Sequence, residues 1–242
     1  MNKPFDCTRW SLKLSLFAAL IAVLAVLGHR SALIDFQPAL LGLAGGILTG
    51  LLAIVMGLTG TLRAIKAKES EIASTLAGST LSFLVVMPML MTVMAGAGVP
   101  RIHDISTDLE HPPEFVAIKA LRTAAHNSLD RLEPDNLAAL QQESYPDLGP
   151  VLMGRPFYQV FEQVIRLVKE RDWEVAAVSA EAGRIEATDT TLIMGFKDDV
   201  VIRVQEVGSR TLVDMRSASR VGESDLGVNA ARIRLFLADL GK

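Results

Sequence analysis

Three stretches near the start of the chain, residues 14–29, 36–62 and 72–100, contain no Asp, Glu, Lys or Arg. A helix rises about 1.5 Å per residue, so about 20 apolar residues cross the hydrocarbon of a bilayer. The second and third stretches exceed that length. The first is lengthened by Leu12, because the Lys13 ammonium can snorkel back to the interface, and Trp10 stands where an interfacial aromatic would. The pattern therefore predicts a transmembrane anchor over residues 1–99, with spans near 12–29, 38–62 and 74–97. Pro88 is expected to bend the third span.

The pattern then changes. Residues 100–156 read as a linker and wrap segment, punctuated by Pro112, Pro113, Pro134, Pro146, Pro150 and Pro156. Phe115, Ile118, Leu121, Ala125 and Leu129 recur there at helical spacing, which predicts local helix. Beyond Arg155, Phe157, Val160, Phe161, Val164, Ile165 and Val168 form a stripe of period 3.6, predicting a helix over 158–171. Four strand-like runs follow at 174–180, 184–194, 200–204 and 211–217, with Lys197-Asp198-Asp199 read as a hairpin turn. Short turns between them imply an antiparallel meander. Val228, Ala231, Ile233, Leu235, Phe236, Leu237 and Leu240 mark a closing amphipathic helix. The expected fold is thus a membrane-anchored α+β protein. Its soluble domain, residues 157–242, is an α-β-β-β-β-α unit with a four-stranded sheet covered by two helices on one face. Alternation supports this: Val200, Ile202 and Val204 oppose Arg203, and Val213 and Met215 oppose Asp214 and Arg216, giving one apolar face and one wet, charged face.

Composition agrees with the anchor. Mean hydropathy is +0.34, high for a water-soluble protein. Seven basic and four acidic residues precede Pro100, whereas 17 and 23 follow. An acidic soluble part argues against nucleic acid as partner. The one cysteine, Cys7, excludes an intramolecular disulfide or a thiolate metal site. Basic residues cluster before the first span (Lys3, Arg9, Lys13) and between the second and third (Arg63, Lys66, Lys68). By the positive-inside rule the N-terminus is cytoplasmic, and three crossings place the C-terminal domain outside, in the periplasm of a Gram-negative cell. A cleaved signal peptide is the alternative for the first span, but Val26-Leu27-Gly28 is a poor cleavage site. Gly42, Gly46 and Gly50 form a small-residue stripe suited to close packing, within a three-helix bundle or between copies in a homo-oligomer. No ionisable group lies mid-span, which argues against a transporter.

Three segments, GRIEATDTTLIMGFKDDVVIRV, VDMRSASRVGESDLGVNAARIRLFLADL and LQQESYPDLGPV, resemble the domain-of-unknown-function 1499 family, over about residues 100–242. The resemblance implies an envelope or membrane-associated protein and implies no activity; residues 1–99 are no part of it.

The densest polar cluster is Arg216, Ser217, Ser219, Arg220, Ser224, Asp225, Asn229, Arg232 and Arg234. It runs from the last strand into the last helix, where free N–H groups and guanidiniums could hold a phosphate or carboxylate. Arg216, Ser217, Ser219, Arg220, Ser224 and Asn229 are the candidate anion ligands. The competing reading makes Ser224 or Asp225 a helix cap, with the arginines paired to Asp214, Asp225 or Asp239. Asp189 shares a face with Ile185 by parity and, with Asp214, is a candidate acid or base. His103, Asp104, Asp108, Glu110 and His111 fit no standard metal spacing. All four histidines precede the predicted core, and no nucleophile elbow, phosphate loop or dinucleotide fingerprint appears, so no cofactor is implied. The leading functional expectation is a non-catalytic binding or scaffold module for an anionic ligand, lipid headgroup or envelope protein. A carboxylate-based envelope enzyme and an accessory subunit of a membrane complex are the alternatives.

Overall fold

The computed structural model describes residues 7–67, 72–132 and 134–242. Lys3 and Lys68, which carry part of the orientation reading, lie outside the described residues. The chain divides into two compact units, Met1–Ala95 and Gly96–Lys242.

The first unit consists of α1 (Cys7–Arg30), α2 (Phe36–Ala67) and α3 (Ile72–Gly96). Within them, Arg9–Arg30, Phe36–Lys66 and Leu76–Met94 are long and apolar enough to cross a membrane. The small residues face inward. Ala18, Ala22 and Ala25 of α1 are buried against Ala39, Leu43 and the glycine stripe of α2. A Cβ at Gly42 would stand 3.2 Å from that of Ala25, and one at Gly46 3.3 Å from the Ala18 carbonyl oxygen. Gly50 lies against Val86 of α3. Hydroxyls join the helices where the packing is closest: Ser15 Oγ donates to Gly78 O (2.7 Å), Ser82 Oγ to Ser15 Oγ (2.8 Å) and Ser11 Oγ to Ala53 O (2.9 Å). Leucines such as Leu20, Leu24, Leu41 and Leu48 point outward.

The second unit is an antiparallel sheet with helices on one face. Its strands are β1 (Asp104–Ser106), β2 (Val151–Met153), β3 (Glu174–Ser179), β4 (Arg184–Thr190), β5 (Lys197–Val207) and β6 (Arg210–Ser219). The order is β1-β6-β5-β4-β3, and β2 also pairs with β6. β6 is therefore paired with β5 along one edge, and with β2 (Leu152↔Leu212) and then β1 (Ile105↔Ser217) along the other. The sheet has six strands where the hydropathy pattern predicts four. β1 and β2 are three residues each, too short for a period to register. β5 begins at Lys197, so Lys197-Asp198-Asp199 is strand, not turn, and β4 ends at Thr190. The long loop 191–196 closes on itself through Thr191 N to Phe196 O (2.8 Å) and Gly195 N to Thr191 O (3.0 Å). The β3–β4 turn needs glycine: Gly183 has φ +58°, and any Cβ there would collide with the Val204 carbonyl oxygen. β3 carries a bulge between Val175 and Ala177.

One face holds the main core. α5 (Phe157–Glu170) contributes Val160, Phe161, Val164 and Val168, and α6 (Val228–Leu240) contributes Ala230, Ile233, Phe236 and Leu240. They pack on Ile105, Ile185, Ile202, Val204, Val213 and Met215. Trp173 stacks on Phe236 at 5.6 Å, and the Arg171 guanidinium lies 5.0 Å over the Phe236 ring.

The opposite face is charged but not wet, which corrects the sequence expectation. Residues 107–132 cross it as a strap and bury Phe115 and Ile118 against Val201 and Ala218. Glu186, Asp199 and Asp214 on that face are 0% exposed. The strap contains only a 3-10 turn, Ile118–Leu121, and no longer helix. The apolar spacing of Phe115, Ile118 and Leu129 reflects the seats it fills on the sheet rather than a helical stripe. α4 (Leu137–Ser144) follows the strap.

Candidate functional site

Burying a charge without a partner is costly, so the strap face is built from matched ions. Asp199 of β5 accepts from Arg122 Nε of the strap (2.8 Å), from Arg220 Nε (3.0 Å) and Nη2 (2.8 Å), and from Thr188 Oγ1 (2.7 Å). Burial opposes its charge, but the bonds from Arg220 and Thr188 and the Arg122 charge hold its carboxyl below the usual carboxylate range. Arg122 also donates to Ala218 O and Asn127 O at 2.8 Å each, tying the strap to β6. Glu186 accepts the backbone N–H groups of Val116, Ala117 and Ile118 at 2.9–3.1 Å, so one carboxylate caps the 3-10 turn. Arg184 Nε approaches the same carboxylate at 3.1 Å. Arg203 bridges Asp214 (2.8 Å) and Asp108 (2.9 Å).

At the next position Asp104 of β1 receives two arginines. Arg216 binds it through Nε (3.0 Å) and Nη2 (2.7 Å), and Arg131 through Nη1 (2.5 Å). Arg216 further donates to Leu129 O (2.6 Å) and Pro113 O (3.2 Å) and lies 5.0 Å over the Phe115 ring. Arg131 adopts a left-handed backbone (φ 55°), unusual for a non-glycine residue. Of this group Arg131 and Arg216 line the floor of an open cleft of about 440 Å³, which Phe115, Leu129, Leu137, Lys119, Glu114, Asp130 and Asp135 also line.

The helix face carries a second polar cluster, at the N-terminal end of α6. Arg232 donates to Asp198 Oδ2 (2.6 Å), Asp189 Oδ2 (2.8 Å), Asn229 Oδ1 (2.5 Å) and Ser217 Oγ (3.0 Å). Asn229 Nδ2 donates to Ser219 Oγ (2.9 Å) and His103 O (3.0 Å). Asp225 accepts from Gly227 N (2.9 Å) and Asn229 N (2.8 Å), capping the helix one turn early. Burial pushes the Asp225 carboxyl up, against those two N–H bonds, and pushes the His103 imidazole down. The Tyr145 hydroxyl is buried with no hydrogen-bond partner among the described residues, and burial raises it first, then the Asp225 charge.

The predicted anion cluster is therefore divided by the sheet. Arg216 and Arg220 lie on the strap face; Ser217, Ser219 and Asn229 lie on the helix face; Ser224 stands in the connecting loop, 3.5 Å from Pro100 O. Asp189 and Asp214 also stand on opposite faces, held by Arg232 and Arg203, and do not converge. The arginines pair with Asp104, Asp199, Asp198 and Asp147 instead of Asp214, Asp225 or Asp239. Asp214 goes to Arg203 and Asp239 to Arg171. Among the described residues no group of His, Cys, Asp and Glu is placed to hold a metal. The sequence pattern assigned no role to Arg122, Arg131 or Glu186 at this site, and placed Asp104 in a possible metal group and Asp199 in a turn. The available signal was the mixture of both signs along one strand face, with complementary arginines in the preceding segment.

Fold and site define a class: three helices of membrane-crossing length followed by an α+β domain whose second sheet face is an internal ion-pair lattice under a strap. The chain belongs to the family described as Protein of unknown function (DUF1499), matched over residues 104–240. That match runs from the first residue of β1 to the last of α6, so strap and lattice both lie inside it. No curated protein matches the chain.

Proposed function

We propose that the protein is a membrane-anchored, non-catalytic binding module on the extracytoplasmic face of the cytoplasmic membrane, whose cleft takes the anionic group of a partly apolar ligand. The observation that carries the reading is the cleft floor, where two guanidiniums, Arg131 and Arg216, share the one carboxylate of Asp104. The excess positive charge sits beside Phe115, Leu129 and Leu137, and Lys119 adds a cation to the lining. An anionic headgroup with a short apolar tail matches that chemistry. The acids of the lining, Glu114, Asp130 and Asp135, favour a ligand that also carries a positive group. A binding role is further supported by how the other buried ions are used: each one named above is committed to a partner inside the chain, as in a structural lattice. The anchor reading is supported by the outward leucines and by the basic residues flanking the spans.

The test is titration of the purified full chain with dihexanoyl phosphatidylethanolamine and with the uncharged diacylglycerol of the same chain length. Saturable binding of the phosphatidylethanolamine alone is expected. Arg131→Gln should weaken it by about tenfold or more, the worth of one charge-assisted hydrogen bond. Arg234→Gln, which removes an exposed arginine paired with Asp147 outside the cleft, should leave it unchanged. Equal, unsaturable uptake of both probes by all three proteins would refute the cleft as the site.

A further inference from the structure

The loop between β4 and β5 has no role in the ion lattice or the cleft. Residues 191–196, Thr-Leu-Ile-Met-Gly-Phe, contain no charge. Leu192 is 91% exposed and Ile193 57%. The loop is closed by hydrogen bonds: besides the two backbone bonds, Phe196 N donates to Thr191 Oγ1 at 2.8 Å. A protruding pair of large aliphatic side chains at the tip of such a loop suits an apolar or interfacial contact.

Its position says what. The loop projects from the end of the sheet at which β4 finishes and β5 starts, and β6 finishes and β1 starts. Ser219 N donates to His103 O (2.8 Å), Arg220 N to Lys197 O (3.0 Å) and Asp225 N to Ile102 O (3.2 Å). Residues 97–103, the lead-in to β1, are thereby fixed beside this loop and the β6–α6 connection. That connection adds Leu226 and Val228, both partly exposed. Leu226 holds a left-handed backbone (φ 54°) and packs on Gly96, the first residue of the second unit. The seven residues 97–103 span at most about 25 Å even when fully extended. Residues 76–94, the stretch of α3 long and apolar enough to cross a membrane, end two residues before Gly96. The apolar tip and the tether to that helix therefore share one end of the domain. Arg101 is exposed there as well, facing the equally exposed Glu223.

We propose that the 191–196 loop, with Leu226 and Val228 beside it, inserts into the headgroup region of the bilayer that the protein's own helices cross, and so fixes how the domain stands on the membrane. The inference rests on the helices crossing the bilayer and not on the cleft. Two or three aliphatic side chains bind an interface weakly on their own. Attachment through residues 97–103 makes the contact intramolecular, so its effective concentration is high and weak insertion suffices.

The test uses the full chain in phosphatidylcholine–phosphatidylglycerol vesicles, with Cys7→Ser as background and single labels of an environment-sensitive fluorophore at Leu192→Cys, Leu132→Cys and Leu41→Cys. Leu132 is an exposed strap residue and Leu41 an outward residue of α2. Doxyl lipids should quench the labels at 192 and 41, with a blue-shifted emission, while the label at 132 behaves as in water. A quenched 41 with a water-like 192 would overturn the loop contact and leave the anchor intact. A water-like 41 would overturn both. In a second arm Leu192→Ser and Ile193→Ser together should raise water access at a label on Val228→Cys without altering quenching at 41. No change at 228 would count against insertion.

Discussion

Asp199 shows what a single buried carboxylate does for the strap. It takes Arg122 from the strap and Arg220 from just beyond β6 at once, so its loss would leave two guanidiniums facing each other under a cover. Removing one partner of a buried ion pair costs about 3–5 kcal/mol, and Asp199→Asn should lower the unfolding free energy of the detergent-solubilised chain by that order. Because the native carboxyl titrates below its unfolded value, its stabilisation is complete above the ordinary carboxylate range and is lost as pH falls through it. Asp108 acts in the same sense: desolvation opposes its charge, but the bonds from His111 N–H and Arg203 and the Arg203 charge together outweigh it and lower its carboxyl. Asp225, raised by burial, acts in the opposite one: its contribution is complete below the ordinary range and fades as pH rises through the native value. Hydrogen exchange should therefore show residues 107–132 opening on acidification from neutral pH to about 3 before the core of α5 and α6 does. Asp199→Asn should open the same residues already at neutral pH. Uniform acid opening of strap and core would contradict the lattice as the strap's fastening.

At the scale of elements, hydropathy was informative where a period had room to repeat. The three long apolar helices, α5, α6 and the alternation in β4, β5 and β6 were all legible, because each repeats its pattern over several residues. β1 and β2 were not, because three residues carry no period and their partner is distant in sequence. The strap was visible only as apolar spacing without an element to explain it: Phe115, Ile118 and Leu129 are anchors in a non-helical chain, placed by the seats on β5 and β6. For the candidate site, residue types were legible and geometry was not. Neighbours in sequence such as Arg216 and Ser217 point to opposite faces of β6 by the two-residue period, so a cluster in sequence became two sites in space. In the first unit the glycine stripe is used inside the chain. Gly46 is pressed on the α1 backbone whereas Gly45 has nothing within 4 Å. Gly46→Leu should destabilise the helical unit by about 1–3 kcal/mol through overpacking, read as thermal unfolding in detergent, and Gly45→Leu should leave it unchanged. Equal effects would mean that α1 and α2 do not meet on this face.

For the whole molecule, sidedness is the property that decides what the cleft can meet. Basic residues flank α1 at its start and the α2–α3 connection; with the three helices crossing the bilayer as proposed, the positive-inside rule gives the proposed cytoplasmic N-terminus and extracytoplasmic domain. A periplasmic phosphatase reporter fused after Lys242 should be active, and a fluorescent reporter that matures only in the cytosol should stay dark; the reverse pair of results would invert the protein in its membrane. The way β6 is flanked has a further consequence for a domain held at high density on a surface. β5 takes one side of that strand and β2 and β1 divide the other, with Thr107 bonded to Met215 where the two short strands meet. This ten-residue ribbon of backbone donors and acceptors is thus sealed from strangers. What remains at the outer margins is two three-residue strands on one side and, on the other, β3 with its bulge. Neither offers a straight template for a neighbouring copy to extend, so crowding many copies into one patch of lipid should not start strand-to-strand polymerisation.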